Sequence, residues 1–439
     1  MTLTMAINRH LTVCALRWLV KRKARRAPEY TPRPGSLLYV AASALPYHVS
    51  GYTNRTQEII VALRSVGADV SVMTRPGYPW DRKDRVVDAG PDATLVDGIL
   101  YHHSRSPSNH RPVLQFALQA APAIAQLAAS RKVAAIHAAS NHTNALPALL
   151  AARRLGIPFH YEMRGLWELS RISRSPDFEG SWAFRQGLAL ERLVASQADR
   201  LFVISEQLGK YIQQHWGIPA ERMTLLPNCI DADRIPAADP AQAVPLTIGY
   251  AGSLIVYEGL DTLLEAVARL KREGLAVRLH VAGHGEAGQA LQEQARQLGI
   301  DDVVCFHGRV SAVQARAIIG RCAVICIPRR PFEVCKIVPP LKLVEALAMA
   351  RPVVVPDLPV FVDEMGSDPA GWFFKAGDSA DLARTLRVAL EDHAQLAVIG
   401  QRARTYAIGQ RRWQGFVGAA VPSATPRASA GNMGAPHGR

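Results

Sequence analysis

Cysteine is scarce in this chain of 439 residues, and no two cysteines form a Cys-x-x-Cys motif. Neither a disulfide framework nor a zinc site is therefore indicated, and a reducing compartment fits best. Aromatic residues make up only 7% of the chain and do not alternate with basic residues on one face, which argues against nucleic-acid binding. No apolar run approaches the roughly 20 residues that span a bilayer, so we expect a soluble or peripheral protein.

The positive charge is concentrated at the N-terminal end. The formal net charge is +14, yet residues 1–34 alone hold eight basic residues and one acid. Leu11–Val20 is apolar but short, and the basic cluster Lys21–Arg26 follows it, whereas a secretory signal has the opposite order. We expect residues 1–34 to be a disordered leader, an over-extended start, or an element that binds an anionic membrane surface.

The rest of the sequence alternates short apolar runs with longer amphipathic stretches. This pattern predicts parallel strands joined by crossover helices. It stops at 231–245, where three prolines stand in fifteen residues, and it restarts at 246. We therefore predict an α/β chain with two tandem Rossmann-like, doubly wound parallel-sheet domains, 35–230 and 246–397, joined by a linker. Ligands of such sheets bind beyond the carboxyl ends of the strands, so the cleft between the domains is the expected site.

Gly283–Gly288 fits the pattern G-x-G-x-x-G between a predicted strand and a predicted helix. The dinucleotide fingerprint also has an acid at the end of the next strand, but that strand ends here in Phe306–His307. Two interpretations stay open. Gly283 and Gly285 either bring the backbone close to a phosphate or sugar, or they form an ordinary strand-to-helix turn.

The most informative stretch follows Pro339–Pro340, which mark the start of a helix. Lys342 and Glu345 then share one helix face. A lysine is disfavoured near a helix N-terminus unless it faces an anion such as phosphate. Glu345 can accept two hydrogen bonds from a diol such as a ribose, and Arg329 and Arg330 add positive charge nearby. The alternative is a solvated ion pair on an ordinary helix.

Several segments, in order, resemble family 4 of the retaining glycosyltransferases, enzymes of GT-B fold that use nucleotide-sugar donors. The segments are LPYHVSGYTNRT (45–56), YEMRGLWE (161–168), ADRLFVISEQL (198–208), LLPNCID (225–231), IGYAGSLIVYEGLDTLLEA (248–266) and PLKLVEALAMARPVVVPDLP (340–359). Arg411–Val417 resembles the closing helix, predicted over 398–420, that crosses back to the first domain. A disordered tail is predicted over 421–439.

The resemblance implies roles for the residues at these positions. The first-domain loop would face the acceptor and the donor diphosphate through His48, Gly51, Tyr52 and Arg55. The predicted catalytic residues are Glu162, Arg164 and Lys342. The predicted donor-binding residues are Gly252, Ser253, Gly283, Gly285, Arg329, Arg330, Lys342, Leu343 and Glu345.

The sequence departs from the family pattern at three positions of the second domain. Many members have an Arg and a Lys that balance the diphosphate, where this chain has Ser253 and Glu258. Many also have a sugar-binding Glu eight residues before the position of Glu345, where this chain has Ile337. The cations expected to replace the missing pair are Lys342, Arg329 and Arg330, with Arg55 and Arg164 closing from the first domain.

The resemblance implies a retaining, hexosyltransferase-like enzyme that moves a sugar from a nucleotide-sugar donor to a glycan or lipid-linked acceptor, in glycoconjugate or surface polysaccharide synthesis. Cations and a helix N-terminus can stabilise a leaving diphosphate, so we expect no metal and no cofactor besides the donor. The expected location is cytoplasmic, with peripheral attachment to the inner face of the cell membrane as an option. Two alternatives remain: a GT-B-type sugar-nucleotide epimerase, and a non-catalytic homologue that acts as a binding or scaffold subunit.

Overall fold

The computed structural model describes residues 3–21, 30–82, 91–366 and 370–422. The basic residues 22–26 and most of the predicted tail lie outside these ranges. The strands are β1 (Arg33–Ala41), β2 (Asp69–Thr74), β3 (Ala93–Val96), β4 (Ile99–His102), β5 (Val133–Ala139), β6 (Phe159–Met163), β7 (Arg200–Val203), β8 (Met223–Leu225), β9 (Val244–Ala251), β10 (Arg278–Ala282), β11 (Val304–Gly308), β12 (Cys322–Cys326), β13 (Val353–Pro356) and β14 (Gly371–Phe374). The helices are α1 (Leu3–Lys21), α2 (Gly51–Ser65), α3 (Val113–Ser130), α4 (His142–Leu155), α5 (Trp167–Ile172), α6 (Trp182–Gln197), α7 (Glu206–Trp216), α8 (Leu260–Arg272), α9 (Gly288–Gln297), α10 (Ala312–Ile319), α11 (Glu333–Ile337), α12 (Leu341–Ala348), α13 (Pro359–Met365), α14 (Ser379–Glu391) and α15 (His393–Gln410).

The strands form two separate sheets, which confirms the predicted α/β architecture. The first sheet has the order β3-β4-β2-β1-β5-β6-β7-β8, and the second has the order β11-β10-β9-β12-β13-β14. All pairings in the second sheet are parallel. The first sheet is parallel except at its edge, where β3 pairs antiparallel with β4. This edge hairpin was not predicted from the sequence.

The central strands are buried on both faces because helices cover both sides of each sheet. In β1 every side chain from Leu37 to Ala41 is buried, and in β9 Ile248 and Tyr250 are buried. These strands therefore consist of nearly continuous apolar runs. The loops that follow Ala41 and Ala251 leave the sheets at the carboxyl edges, where ligands of this architecture bind.

The N-terminal leader is not disordered over its described part. Residues 3–21 form α1, which packs against α6, α3 and α4 of the first domain. Val13, Leu16 and Val20 are buried in the core that they share with those helices. Arg9 Nη1 also donates a hydrogen bond to Gln186 Oε1 at 2.8 Å. The apolar side of the leader is thus used for docking onto its own domain.

We expect Leu16→Ala to lower the free energy of unfolding by about 2–5 kcal/mol, because it removes a buried side chain from a packed core. Leu16 is 0% exposed, whereas Leu11 on the same helix is 59% exposed. Leu11→Ala is therefore the matched control and should change stability little. Urea unfolding followed by circular dichroism measures both, and equal effects of the two substitutions would contradict the docking of α1.

Helix α3 has the length and apolar composition of a membrane-spanning helix over its 18 residues. No span of that length was predicted from the sequence. In this fold α3 packs along α4 and buries Phe116, Ala120 and Ile124 in the first domain. A core helix of a globular domain satisfies the same criteria of length and composition.

The chain returns to the first domain near its C-terminal end, as predicted. Helix α15 packs against α12, and the Ile230 backbone N–H then donates to the Arg411 carbonyl oxygen at 2.8 Å. Beyond that point Trp413, Val417 and Ala420 are buried in a core cluster of the first domain. The contact with the first domain is made by short 3₁₀ turns that pack on α2, rather than by the predicted helix over 398–420.

Candidate functional site

The two domains meet along the short segment that connects α11 to α12. Asn228 Nδ2 donates a hydrogen bond to the Pro339 carbonyl oxygen at 2.9 Å. Ser205 Oγ donates to the Ile337 carbonyl oxygen at 2.5 Å. Ile337 itself, which stands where many family members have a sugar-binding glutamate, is buried at this junction. The N-terminus of α12 therefore lies next to the first domain.

A buried carboxylate joins two of the cations that the sequence predicts for donor binding. Glu258 Oε2 accepts a hydrogen bond from Lys342 Nζ at 2.6 Å, and Glu258 Oε1 accepts one from Arg329 Nη2 at 3.0 Å. Lys342 also donates to the Tyr250 hydroxyl at 2.7 Å and lies over the ring of that tyrosine. Arg329 Nη1 donates to the Val338 carbonyl oxygen at 2.8 Å. Glu258, one of the residues that depart from the family pattern, is thus the counter-ion of both Arg329 and Lys342.

The three charges of this cluster lie largely out of solvent. The side chains of Glu258, Arg329 and Lys342 are 4%, 9% and 16% exposed. Burial alone would raise the pKa of Glu258, but the charges of Arg329 and Lys342 outweigh burial and lower this pKa to about 2. Burial lowers the pKa of Lys342, and the charge of Glu258 opposes that change. Lys342 is the most exposed of the three, so it is the cation that a ligand can reach.

We expect Glu258→Gln to lower the free energy of unfolding by about 3–5 kcal/mol, because it leaves two buried cations without a counter-ion. Glu333→Gln is the control, since Glu333 forms an exposed ion pair with Lys336 one turn away in α11, and exposed pairs contribute little. Urea unfolding of both variants measures the difference. Wild-type stability of Glu258→Gln would show that these ion pairs do not hold the loop after β9.

The loops that follow β9 and β10 touch at the glycines of the G-x-G-x-x-G motif. Gly283 has a φ of +147°, and a Cβ there would collide with the Gly252 carbonyl oxygen. A Cβ on Gly285 would collide with the Leu254 carbonyl oxygen. These two glycines therefore permit backbone contact between neighbouring loops, which supports the strand-to-helix turn interpretation. Gly252 in turn lies against Lys342, since a Cβ there would be 2.6 Å from Lys342 Nζ.

Glu345 lies on α12 and faces α2 of the first domain. Burial and the charge of Glu345 raise the pKa of Glu58 on α2 to about 7, although Trp413 Nε1 donates to Glu58 Oε2 at 3.1 Å. Burial also raises the pKa of Glu345. No side chain in the described ranges donates a hydrogen bond to the Glu345 carboxylate, so it can accept hydrogen bonds from ligand hydroxyls. The sequence does not single out Glu58, because only the fold brings α2 to α12.

The predicted catalytic residues of the first domain form a second buried ion cluster. Glu162 Oε1 accepts hydrogen bonds from Arg55 Nε at 3.1 Å and from Arg164 Nε at 2.8 Å. Glu162 Oε2 accepts one from the Tyr39 hydroxyl at 2.6 Å, and His137 Nε2 lies 3.3 Å from the same oxygen. Burial would raise the pKa of Glu162, but Arg164 and Arg55 outweigh burial and hold it well below its usual range.

The two arginines use their other donors within the first domain as well. Arg55 donates to two carbonyl oxygens and one side chain of segment 226–228. Arg164 donates to the Tyr52 carbonyl oxygen and the Thr56 hydroxyl. The expectation that both arginines close on a donor diphosphate therefore does not fit this arrangement. Glu162 is likewise placed to hold these arginines rather than to touch a substrate.

The other predicted site residues lie in three kinds of environment: the buried core, contacts with a neighbouring side chain, and the exposed surface. Leu343 is fully buried in the core, so its side chain supports α12 and does not line the cleft. Arg330 pairs with Asp261 at the start of α8. The ring of Tyr52 lies under the Arg164 guanidinium, 4.5 Å from its central carbon. The exposed residues of the predicted set are His48, Gly51, Ser253 and Gly285.

The two sheets and the cleft between them define a GT-B glycosyltransferase fold. Sucrose-phosphate synthase from Thermosynechococcus elongatus aligns with a TM-score of 0.72 over 88% of this chain and 97% of that protein, at 16% identity. Anabaena HepE in complex with UDP-glucose aligns with a TM-score of 0.66 over 88% and 98% of the two chains, at 16% identity. At these identities the likeness establishes the fold alone.

The sequence comparison establishes the family. Residues 50–229 match the Glycosyl transferase 4-like domain, and residues 245–392 match Glycosyl transferases group 1. The chain belongs to this glycosyltransferase family, which confirms the resemblance drawn from its sequence segments.

Curated relatives match over shorter stretches. Glycogen synthase of Mycobacterium tuberculosis is 26% identical over 233 residues, 52% of this chain and 55% of the relative. The putative colanic acid biosynthesis glycosyltransferase WcaL of Escherichia coli is 28% identical over 202 residues, 44% of this chain and 48% of the relative. Sulfoquinovosyl transferase SQD2 of Arabidopsis thaliana is 24% identical over 394 residues, 86% of this chain and 71% of the relative. The chain thus spans about half the length of the first two.

Proposed function

We propose that this chain moves a sugar from a nucleoside diphosphate sugar to a glycan or lipid-linked acceptor, with retention of the anomeric configuration. The observation that carries the proposal is the pair Lys342 and Glu345 at the N-terminal part of α12, next to the domain junction. Lys342 is the accessible cation for the diphosphate, and Glu345 is an acceptor for a ribose diol. Family membership supports this, as does the complex of the structural neighbour HepE with UDP-glucose. The likeness to WcaL favours a role in surface polysaccharide synthesis.

The chemical step breaks the bond between the anomeric carbon and the diphosphate oxygen, so negative charge grows on the leaving phosphates. Fixed donors and cations around that charge are the main catalytic requirement. The N-terminal N–H groups of α12 and the ammonium of Lys342 meet this requirement together. A metal ion is not part of the proposal, because these groups supply the positive charge. The acceptor hydroxyl attacks on the face that the diphosphate leaves and gives its proton to the departing diphosphate, with no enzymic nucleophile.

The buried carboxylate of Glu258 competes with the donor for Lys342. A diphosphate that binds at α12 must draw Lys342 Nζ away from Glu258 Oε2 or share it. Glu258 thereby weakens donor binding relative to a site with an unopposed lysine, while it keeps the cation in place before the donor arrives. Donor affinity in this chain thus depends on how strongly the donor diphosphate binds Lys342 compared with the Glu258 carboxylate.

We expect Lys342→Ala to raise the Kd of the donor nucleotide sugar by about tenfold or more, because it removes a charge-assisted hydrogen bond to phosphate. Titration calorimetry of the wild-type chain against a panel of nucleotide sugars first identifies the donor. Lys336→Ala is the control, since Lys336 is an exposed lysine of the adjacent helix α11. Normal donor binding by Lys342→Ala would contradict the assigned role.

The transfer reaction itself is tested by release of nucleoside diphosphate. Release that requires an acceptor supports a glycosyltransferase, whereas conversion of the donor without an acceptor indicates an epimerase. NMR of the product's anomeric proton decides between retention and inversion.

A non-catalytic binding subunit is the second candidate function. The ion pairs of Glu258 with both Lys342 and Arg329 favour it, because they neutralise part of the charge that a donor needs. Such a subunit shows no donor-dependent heat and no turnover with any member of the panel.

We also propose a cytoplasmic location with peripheral attachment to an anionic membrane through α1. Its apolar side is docked on the first domain, but Leu11, Arg17, Trp18 and Lys21 are exposed on the other side. Tryptophan and basic side chains favour the interface between headgroups and acyl chains. The sequence continues directly into the basic residues 22–26, which add attraction to anionic lipid.

We expect the double variant Arg17→Gln, Trp18→Ala to bind vesicles of anionic phospholipid several-fold more weakly than the wild-type chain in co-sedimentation. Substitution is preferable to deletion of residues 1–34, because deletion would uncover the core beneath Leu16. Val313→Ala, at an exposed apolar position of the second domain, is the control. Unchanged binding of the double variant would show that α1 is not the attachment surface.

A further inference from the structure

Two histidines and a cysteine meet on the outer edge of the second sheet. His280 is on β10, and Cys305 and His307 are on the edge strand β11. His280 and Cys305 are direct register partners, so their side chains leave the same face of the sheet. The register shifts between Val281 and Ala282, which gives β11 one additional residue at His307. Such irregularities re-aim side chains and are enriched near functional sites.

The three side chains are close enough to share one ion. Their ligand atoms all lie within 4.8 Å of one another. His280 Nδ1 is 3.1 Å from His307 Nε2, and Cys305 Sγ lies 3.9 Å from the other nitrogen of the same ring, His307 Nδ1. In a tetrahedral zinc site, bonds of about 2.0–2.1 Å to nitrogen and 2.3 Å to sulfur hold ligand atoms about 3.3–3.6 Å apart. Because His307 binds one ion through only one of its two ring nitrogens, Cys305 Sγ must move closer to that nitrogen, and the exposed Cys305 side chain can do so by rotation about its Cα–Cβ bond.

We propose that His280, Cys305 and His307 bind one zinc-class ion, with water in the fourth position. Two imidazoles and a thiolate are ligands that this class of metal prefers over hard cations such as Mg²⁺. The thiol gives up its proton to solvent when the metal–sulfur bond forms. In the metal-free chain the imidazoles satisfy each other through one N–H···N hydrogen bond. Arg278, two residues before His280, opposes the positive ion and limits its affinity.

The position of the site indicates what the ion does. It joins the edge strand β11 to β10, on the opposite side of β9 from β12, β13 and β14. Edge strands present unpaired backbone groups and are the part of a sheet most prone to open. An ion that binds only the folded edge stabilises the domain by mass action. The role proposed for the ion is therefore to stabilise this edge of the sheet.

The test is titration of the purified full-length chain, stripped of metal by a chelator, with Co²⁺ as a spectroscopic probe for Zn²⁺. We expect one equivalent of Co²⁺ to give a thiolate-to-cobalt charge-transfer band, and Zn²⁺ to displace it. Cys305→Ser should abolish the band. His280→Gln and His307→Gln should each weaken Zn²⁺ binding by more than about tenfold, since even outer-shell changes around metals cost 10–100-fold.

Cys14→Ser is the matched control, because Cys14 is the other exposed cysteine in the described ranges and also lies beside a histidine, His10, at 3.6 Å. It should keep the band. Far-UV circular dichroism verifies that each variant is folded, and the midpoint of thermal unfolding should rise with Zn²⁺ in wild type but not in Cys305→Ser. Absence of the band in wild type, or its persistence in Cys305→Ser, would overturn the proposal.

Discussion

The cleft side of the first domain depends on one buried carboxylate, that of Glu162. Its oxygens contact four side chains from different elements: Tyr39 on β1, Arg55 on α2, His137 on β5, and Arg164, the residue after β6. Arg55 extends the network to segment 226–228, which bonds to the second domain. A buried charge is tolerated only when its partners are complete. The junction is therefore located by directional hydrogen bonds, which fix geometry more narrowly than apolar packing does.

Each domain places a carboxylate between two cations near the cleft, but the two clusters differ in whether a cation remains accessible to a ligand. In the first domain Arg55 and Arg164 also donate hydrogen bonds to backbone carbonyl and hydroxyl groups of their own domain. This cluster is therefore a closed structural unit. In the second domain Lys342 is bonded to Glu258 and Tyr250 and keeps part of its surface accessible. The charge that can respond to a ligand is thus in the second domain, on the helix that begins at the junction.

The fold was predictable from sequence because its signals are local. Apolar runs such as 37–42 and 246–252 identify central strands, and the proline-rich break separates the two sheets.

The partners of Glu258 were not predictable, since Arg329 and Lys342 follow it by 71 and 84 residues and only tertiary structure brings them together. The sequence predicts Lys342 and Glu345 on one helix face, and the structure has both on α12. It does not predict that Arg55 and Arg164 turn into their own domain, because sequence shows charge but not direction. The docking of α1 was also missed, because Leu11–Val20 is too short to distinguish a packed helix from a disordered leader.

The burial of Trp413 in the first domain has a consequence for biosynthesis. The cluster that contains Trp413, Val417 and Ala420 also contains Leu37, Tyr39 and Ile59 from the start of the domain. A nascent chain emerges N-terminus first, so the ribosome releases every strand of both sheets before the last piece of the first domain's core exists. That domain cannot complete its packing until residues 413–420 have left the ribosome. A chain truncated after the second sheet would therefore leave an apolar gap in the first domain.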